Sequence, residues 1–178
     1  MEVLILTGAC GVGKSTVARG WAKAKAGAVI ECDYFTEWIY QPSFPRWTSE
    51  EEEFVASLAI ATAQEYLKRR MPVVTENVWS PVGIQLLVDG MKPHERVASL
   101  KVVWLQCILE ENHRRDQLRV PENQMKDRVE IVNVELQSYS WPKYVRKIDS
   151  TELSVEETVC EIDRCDPISH FKKGRYDD

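Results

Sequence analysis

Apolar and polar positions along the chain follow two alternating patterns. Short runs rich in β-branched residues read as strands: "EVLILT" (2–7), "AVIEC" (28–32), "PVVTEN" (72–77), "LKVVWLQC" (100–107) and "KYVRKI" (143–148). Helical patterns separate them. The first helix is predicted from Lys14 to about Lys25, with Gly27 as its stop. "YFTEWIY" (34–40) predicts a short helix, and "QPSFPRWTS" (41–49) a loop, because two prolines interrupt any period. Ser49 and Glu52 have the S-x-x-E spacing of a capping box and open a helix to about Arg70. Phe54, Val55, Leu58, Ala59, Ala63, Tyr66 and Leu67 form its apolar face.

Pro81 sits at the entry of a further helix over "SPVGIQLLVDGM" (80–91). "ILEENHRRDQLR" (108–119) is a charged helix that Pro121 ends. Met125, Val129, Val132, Leu136 and Tyr139 repeat at four-three spacing and predict another. Ser154 and Glu157 form a second capping box before the last helix, at about 155–165. The tail "HFKKGRYDD" is polar and is expected to be loose. Strands alternating with helices from end to end define an α/β protein, a parallel sheet with helices on both faces. We read residues 1–178 as one domain, since no linker, repeat or low-complexity segment interrupts them.

Composition narrows the partners. The net charge of −5 argues against nucleic acid as the main partner, because phosphate backbones are bound by basic surfaces. No apolar run is long enough to span a membrane, and "MEVLIL" reads as a buried first strand rather than a secretory signal. Five cysteines without a CxxC pair predict reduced thiols in a cytoplasmic protein.

The most specific stretch is "LTGACGVGKSTVARG" (6–20). Gly8-x-x-x-x-Gly13-Lys14-Ser15 satisfies the phosphate-binding loop, or Walker A pattern, at every required position, between a strand and a helix. Gly8, Gly11 and Gly13 let the backbone turn so that successive N–H groups, including that of Val12, face an anion. The helix N-terminus adds its dipole. Lys14 supplies a charge for the outer phosphates, the Ser15 hydroxyl can ligate Mg²⁺, and Thr16 reaches the inner phosphate.

From these residues the chain resembles the small P-loop kinases of the nucleoside and nucleotide kinase-like superfamily. Within them it is most similar to gluconate kinase-like, shikimate kinase-like and chloramphenicol phosphotransferase-like enzymes. The resemblance is specific in the phosphate loop and rests on element order elsewhere. It implies a five-stranded parallel sheet in the order 2-3-1-4-5, ATP and Mg²⁺ as cofactors, and a small-molecule acceptor. It also implies an acceptor-side segment at about 34–48 and a lid at about 114–128. Shikimate itself fits poorly, for the doubled aspartate after the second strand is missing.

Asp33 ends the second strand, at the sheet edge that faces the ligand crevice in such folds. By the resemblance, it contacts the acceptor hydroxyl and, as in some of these kinases, assists Mg²⁺ through water; the alternative is a helix cap for the segment that follows, and both roles can coexist. Glu76, at the end of the third strand, can reach the acceptor or the Mg²⁺ water shell, or be a solvated turn residue. Trp38, Arg46, Trp47 and Trp79 lie in the segments expected to overhang an acceptor, with core packing the alternative for each tryptophan. Arg115 and Arg119, four apart, are the expected lid arginines, acting on transition-state charge. Arg114 and Arg115 have Glu110 and Glu111 as alternative surface partners. The expected function is an ATP-dependent kinase, with Lys14, Asp33 and Arg119 as its catalytic residues. The alternatives are a nucleotide-binding switch and a polynucleotide 5′-hydroxyl kinase.

Overall fold

The computed structural model describes residues 1–168, so the polar tail lies outside the described residues. Five strands, β1 (Glu2–Thr7), β2 (Ala28–Glu31), β3 (Val73–Glu76), β4 (Ser99–Gln106) and β5 (Val145–Asp149), form one parallel sheet in the order β2-β3-β1-β4-β5. The helices are α1 (Lys14–Lys25), α2 (Tyr34–Glu37), α3 (Ser49–Lys68), α4 (Pro81–Met91), α5 (Leu109–Gln117), α6 (Arg128–Ser138) and α7 (Val155–Arg164).

Strand side chains alternate between two cores, as the pleat requires. Val3 and Ile5 of β1, with Val73, Leu100, Val102 and Trp104, face α3, α4 and α6. Leu4 and Leu6, with Val74, Val103, Leu105 and Ile148, face α1 and α7. Burial on both faces explains why the strands read as nearly continuous apolar runs. Trp104 is core, as expected.

The departures lie at element ends. Helix α3 is capped one residue early: the Thr48 hydroxyl accepts from the Glu51 N–H at 3.2 Å. Glu52 is thereby released for a distant task. Its carboxylate accepts from the N–H and the hydroxyl of Ser80, each at 2.7 Å, and so fastens α3 to the start of α4. Phe54 is not on the buried face; it is exposed and meets Phe44 edge-on at 5.6 Å. Helix α1 stops on a left-handed Ala26 (φ 50°), one residue before Gly27, whose N–H then bonds the Ala22 carbonyl at 2.8 Å. A 3-10 turn, Pro121–Asn123, follows α5, and α6 starts at Arg128, leaving Met125 in the approach and Tyr139 past the end.

The five strand ends converge on one edge. Register pairs Glu76 with both Leu6 and Glu31, and Gln106 with Asp149. Strand β1 lies between β3 and β4, so the chain leaves it at the point where the strand order reverses.

Replacing Glu52 by Ala should lower unfolding free energy by about 1–3 kcal/mol, because the Ser80 N–H loses its partner. A shift of the urea midpoint measures it. An unchanged midpoint would show that the α3–α4 fastening is dispensable.

Candidate active site

The loop after β1 is shaped by its surroundings. Gly13 is left-handed (φ 100°), a backbone state that side chains with Cβ rarely adopt, and it delivers the chain into α1. A Cβ on Gly8 would stand 2.5 Å from the Leu105 carbonyl oxygen, so this position must be bare for the loop to leave β1 beside β4. Lys14 folds back along the loop, and its ammonium donates to the Ala9 carbonyl at 3.0 Å. Thr16 is exposed and lines a cleft of about 270 Å³ together with Gly13, Arg114, Arg115, Ser150 and Ser154.

Ser15 lies against Glu76, its hydroxyl donating to Oε1 at 2.9 Å. Glu76 is 3% exposed. Burial pushes its pKa up, against the opposing pull of the Lys14 charge and the Ser15 hydroxyl. Of the carboxylates considered for Mg²⁺, it is therefore Glu76 rather than Asp33 that the fold hydrogen-bonds to Ser15. No cluster of three or more His, Cys, Asp or Glu side chains suited to a metal occurs among the described residues. A hydroxyl backed by one carboxylate does fit Mg²⁺, a hard cation that keeps several waters and takes its other oxygens from phosphates.

Asp33 is exposed and precedes α2, yet its side chain makes no capping hydrogen bond. Its backbone carbonyl does the capping instead, accepting from the Thr36 and Glu37 N–H groups. Beside it Cys32 is fully buried and in contact with the Thr75 hydroxyl at 3.1 Å. Burial pushes the Cys32 thiol pKa up, which makes it an inert packing group.

The segment expected on the acceptor side (34–48) carries four exposed aromatic side chains. Trp38 is 72%, Tyr40 87% and Trp47 73% exposed, and Tyr34 packs near Trp38 with ring centroids 6.4 Å apart. Arg46 ties the segment together through the Ile39 carbonyl at 3.0 Å and Glu51 at 3.8 Å. Trp47 is left-handed (φ 59°), its N–H is accepted by the Glu51 carboxylate, and the Arg128 guanidinium lies 3.5 Å from its ring centroid. Trp79, expected to overhang an acceptor, does not do so. It is fully enclosed in the core, drawn in by Thr7, whose hydroxyl bonds both its N–H (2.9 Å) and its carbonyl (3.0 Å). It cannot wall an acceptor pocket in this arrangement.

The two expected lid arginines part company. Arg115 points at the phosphate loop and bonds the Val12 carbonyl at 3.0 Å, the Ser150 carbonyl at 2.7 Å and Glu111 at 2.7 Å. Arg114 and Arg115 share Glu111, leaving Glu110 aside, and hold its pKa down to about 2. Arg119 is half-exposed just after α5, 3.9 Å from Asp116 and 3.4 Å from the Asn123 carbonyl. Sequence reasoning missed Asn112, which is fully buried and bonds the Cys10 carbonyl at 2.6 Å. Its only sequence signal is an uncharged residue one turn before Arg115 in a helix of charges.

A five-stranded parallel sheet in this order, with a glycine-rich loop leaving β1 at the switch point, is a fold that solved kinase structures share. No family model matches the chain. Solved structures do. A sugar kinase from Janibacter sp. HTCC2649, unliganded, is 16% identical with a TM-score of 0.69, and the match covers 90% of each chain. A gluconokinase from Sinorhizobium meliloti 1021 is 20% identical with a TM-score of 0.58, covering 90% of this chain and 89% of that one. A chain of the Pnkp1/Rnl/Hen1 RNA repair complex is 24% identical with a TM-score of 0.59 over 76% of this chain and 44% of that one.

Lys14→Ala should leave the melting temperature nearly unchanged, for the side chain has one bond to its own loop. ATP affinity should fall about tenfold or more, since a charged contact of this kind contributes about 1.5–3 kcal/mol. Titration calorimetry checks the affinity, and a thermal melt the retained fold. Unaltered affinity would contradict the assignment of the loop.

Proposed function

We propose that the protein is an ATP-dependent phosphotransferase that moves the γ-phosphoryl group to a hydroxyl of a small molecule. The observation that carries this reading is the pairing of Ser15 with buried Glu76 beside Lys14, on the sheet edge that also bears the uncapped carboxylate of Asp33. A nucleotide switch would need the loop alone. An acceptor carboxylate with an unengaged side chain, next to an open aromatic segment, supports a second substrate.

Each group then has a task. The loop N–H groups and Lys14 bind the triphosphate of ATP. Ser15, with Glu76 behind it, would hold Mg²⁺, which when bound neutralises charge on the outer phosphates. Asp33 orients the acceptor hydroxyl and takes its proton. The hydroxyl oxygen bonds to the γ-phosphorus as the bond to the β–γ bridging oxygen breaks, and ADP carries away that bridging oxygen. Arg119 acts on charge at the transferring group once the lid closes, and Arg115 fixes the loop. The acceptor classes in keeping with the exposed rings and Arg46 are a gluconate-like sugar acid, a nucleoside and an antibiotic alcohol. Five free cysteines fit a reducing, cytoplasmic setting.

A polynucleotide 5′-hydroxyl kinase is the second reading. The aromatic faces of Trp38, Tyr40 and Trp47 favour it, since bases stack on such rings. The net charge of −5 weighs on the other side.

The deciding experiment is ATP turnover with a panel of alcohols that includes a 5′-hydroxyl oligonucleotide, with direct detection of the phosphorylated product. Acceptor-dependent product from a small alcohol is expected. Product from the oligonucleotide alone would select the second reading, and none from any acceptor would leave a switch. With an acceptor in hand, Asp33→Asn should cut kcat by about 10²-fold with little change in ATP affinity. Full activity in that variant would dismiss Asp33 as the base. Arg119→Ala should lower kcat more than it raises KM for ATP, because its contact forms only as charge develops. A change in KM alone would remove it from the transition state.

A further inference from the structure

A phosphate loop works only if its amide hydrogens face the anion. A trans peptide points its carbonyl and the next N–H to opposite sides. Whatever holds the carbonyl of one residue outward therefore aims the N–H of the next residue inward. In this protein a helix distant in sequence does the holding. Asn112 of α5 donates to the Cys10 carbonyl at 2.6 Å, and Arg115, one turn later, donates to the Val12 carbonyl at 3.0 Å. The two donors meet alternate carbonyls of the loop, which fits the spacing of one helical turn.

The orientation of Asn112 is dictated by its neighbours. A backbone carbonyl can only accept, so the amide nitrogen faces Cys10 and the amide oxygen faces away. That oxygen is filled by Asn133 of α6, whose Nδ2 donates to it at 2.7 Å and also to the Val129 carbonyl at 2.8 Å. Asn112 is 0% exposed, and both ends of its amide are hydrogen-bonded. Gly11 completes the fit. A Cβ there would stand 2.7 Å from Asn112 Nδ2 and 3.3 Å from Asp116 Cβ, so the loop reaches α5 only because the position is bare. Asp116, buried on the same helix, accepts from the N–H groups of Met125 and Lys126, each at 2.9 Å, where the lid runs into α6.

We propose that Asn112 and Asn133 are positioning residues that aim the Gly11 N–H at the nucleotide's phosphates and couple the helix after the lid to the phosphate loop. The inference rests on the reading of the loop as a nucleotide site. It extends that reading from the loop's own residues to two asparagines more than a hundred positions away.

The sequence offers a direct probe. Cys10–Gly11 is its one Cys–Gly pair, so labelling cysteine carbonyl carbon and glycine nitrogen selects the Gly11 amide alone. In the wild type, adding ADP with Mg²⁺ should move that amide proton downfield as it bonds phosphate. Asn112→Asp keeps the shape and removes the donor; Asn133→Ala removes only the partner of the Asn112 oxygen. Each should shrink the shift and weaken ADP binding about fivefold to tenfold, the worth of roughly one hydrogen bond. A merely structural role would lower the melting temperature and leave the Gly11 shift at its wild-type size, and that result would overturn the proposal. Should Asn112→Asp fail to fold, Asn133→Ala carries the test, and an unchanged shift with unchanged affinity in that variant is the refuting outcome. If the wild type itself shows neither ADP binding nor a Gly11 shift, it is the nucleotide reading that fails.

Discussion

Backbone polar groups that serve a ligand cannot also serve the fold, and this constraint governs the architecture around residues 8–15. A loop whose N–H groups converge on one point has to place its carbonyls elsewhere, within a protein interior where unpaired acceptors are costly. Here three of them are met by side chains. Ala9 is met by the Lys14 ammonium, Cys10 by α5 through Asn112, and Val12 by the same helix through Arg115. Helix α5 in turn is tied to the loop after β5 by Arg115 and Ser150, and to the lid's exit by Asp116. The sheet carries the loop, but α5 decides which way its peptides face.

The second constraint is the burial of a charge-bearing group at the sheet edge. Glu76 comes to Ser15 because β3 pairs with β1 in a register that sets Glu76 beside Leu6. Its raised pKa records how little water it keeps, while Lys14 and Ser15 draw it back towards the ionised form. Asp33, two strands from β1 in the sheet, is solvated and uncommitted. Two carboxylates on one edge, one buried and one open, are thereby suited to different work.

How much of this was readable beforehand depended on how local the cause was. The glycine turn after β1 and the order of elements were legible, because glycine spacing and apolar runs are local signals. The Thr48 cap was missed by one position, since in "TSEEEE" both Thr48 and Ser49 have a glutamate three residues on. Only the distant Ser80 shows that Glu52 is needed elsewhere. Trp47 and Trp79 look alike in composition, yet Thr7 draws one into the core while Arg128 meets the other at the surface. Asn112 was invisible for a similar reason: its neighbours are charged, and its burial comes from contact with a loop about a hundred residues earlier.

The placement of the tryptophans has an optical consequence. The indoles of Trp21, Trp79 and Trp104 are sealed in the two cores, whereas Trp38 and Trp47 stand exposed in the segment 34–48. Their emission is therefore separable, the buried set blue and shielded, the exposed pair red and open to a dissolved quencher such as iodide. A guanidinium on the face of Trp47 makes that fluorophore sensitive to the distance between the acceptor segment and the helix that follows the lid. The protein thus contains its own reporter of how far those two parts stand apart, and no dye has to be attached to read it.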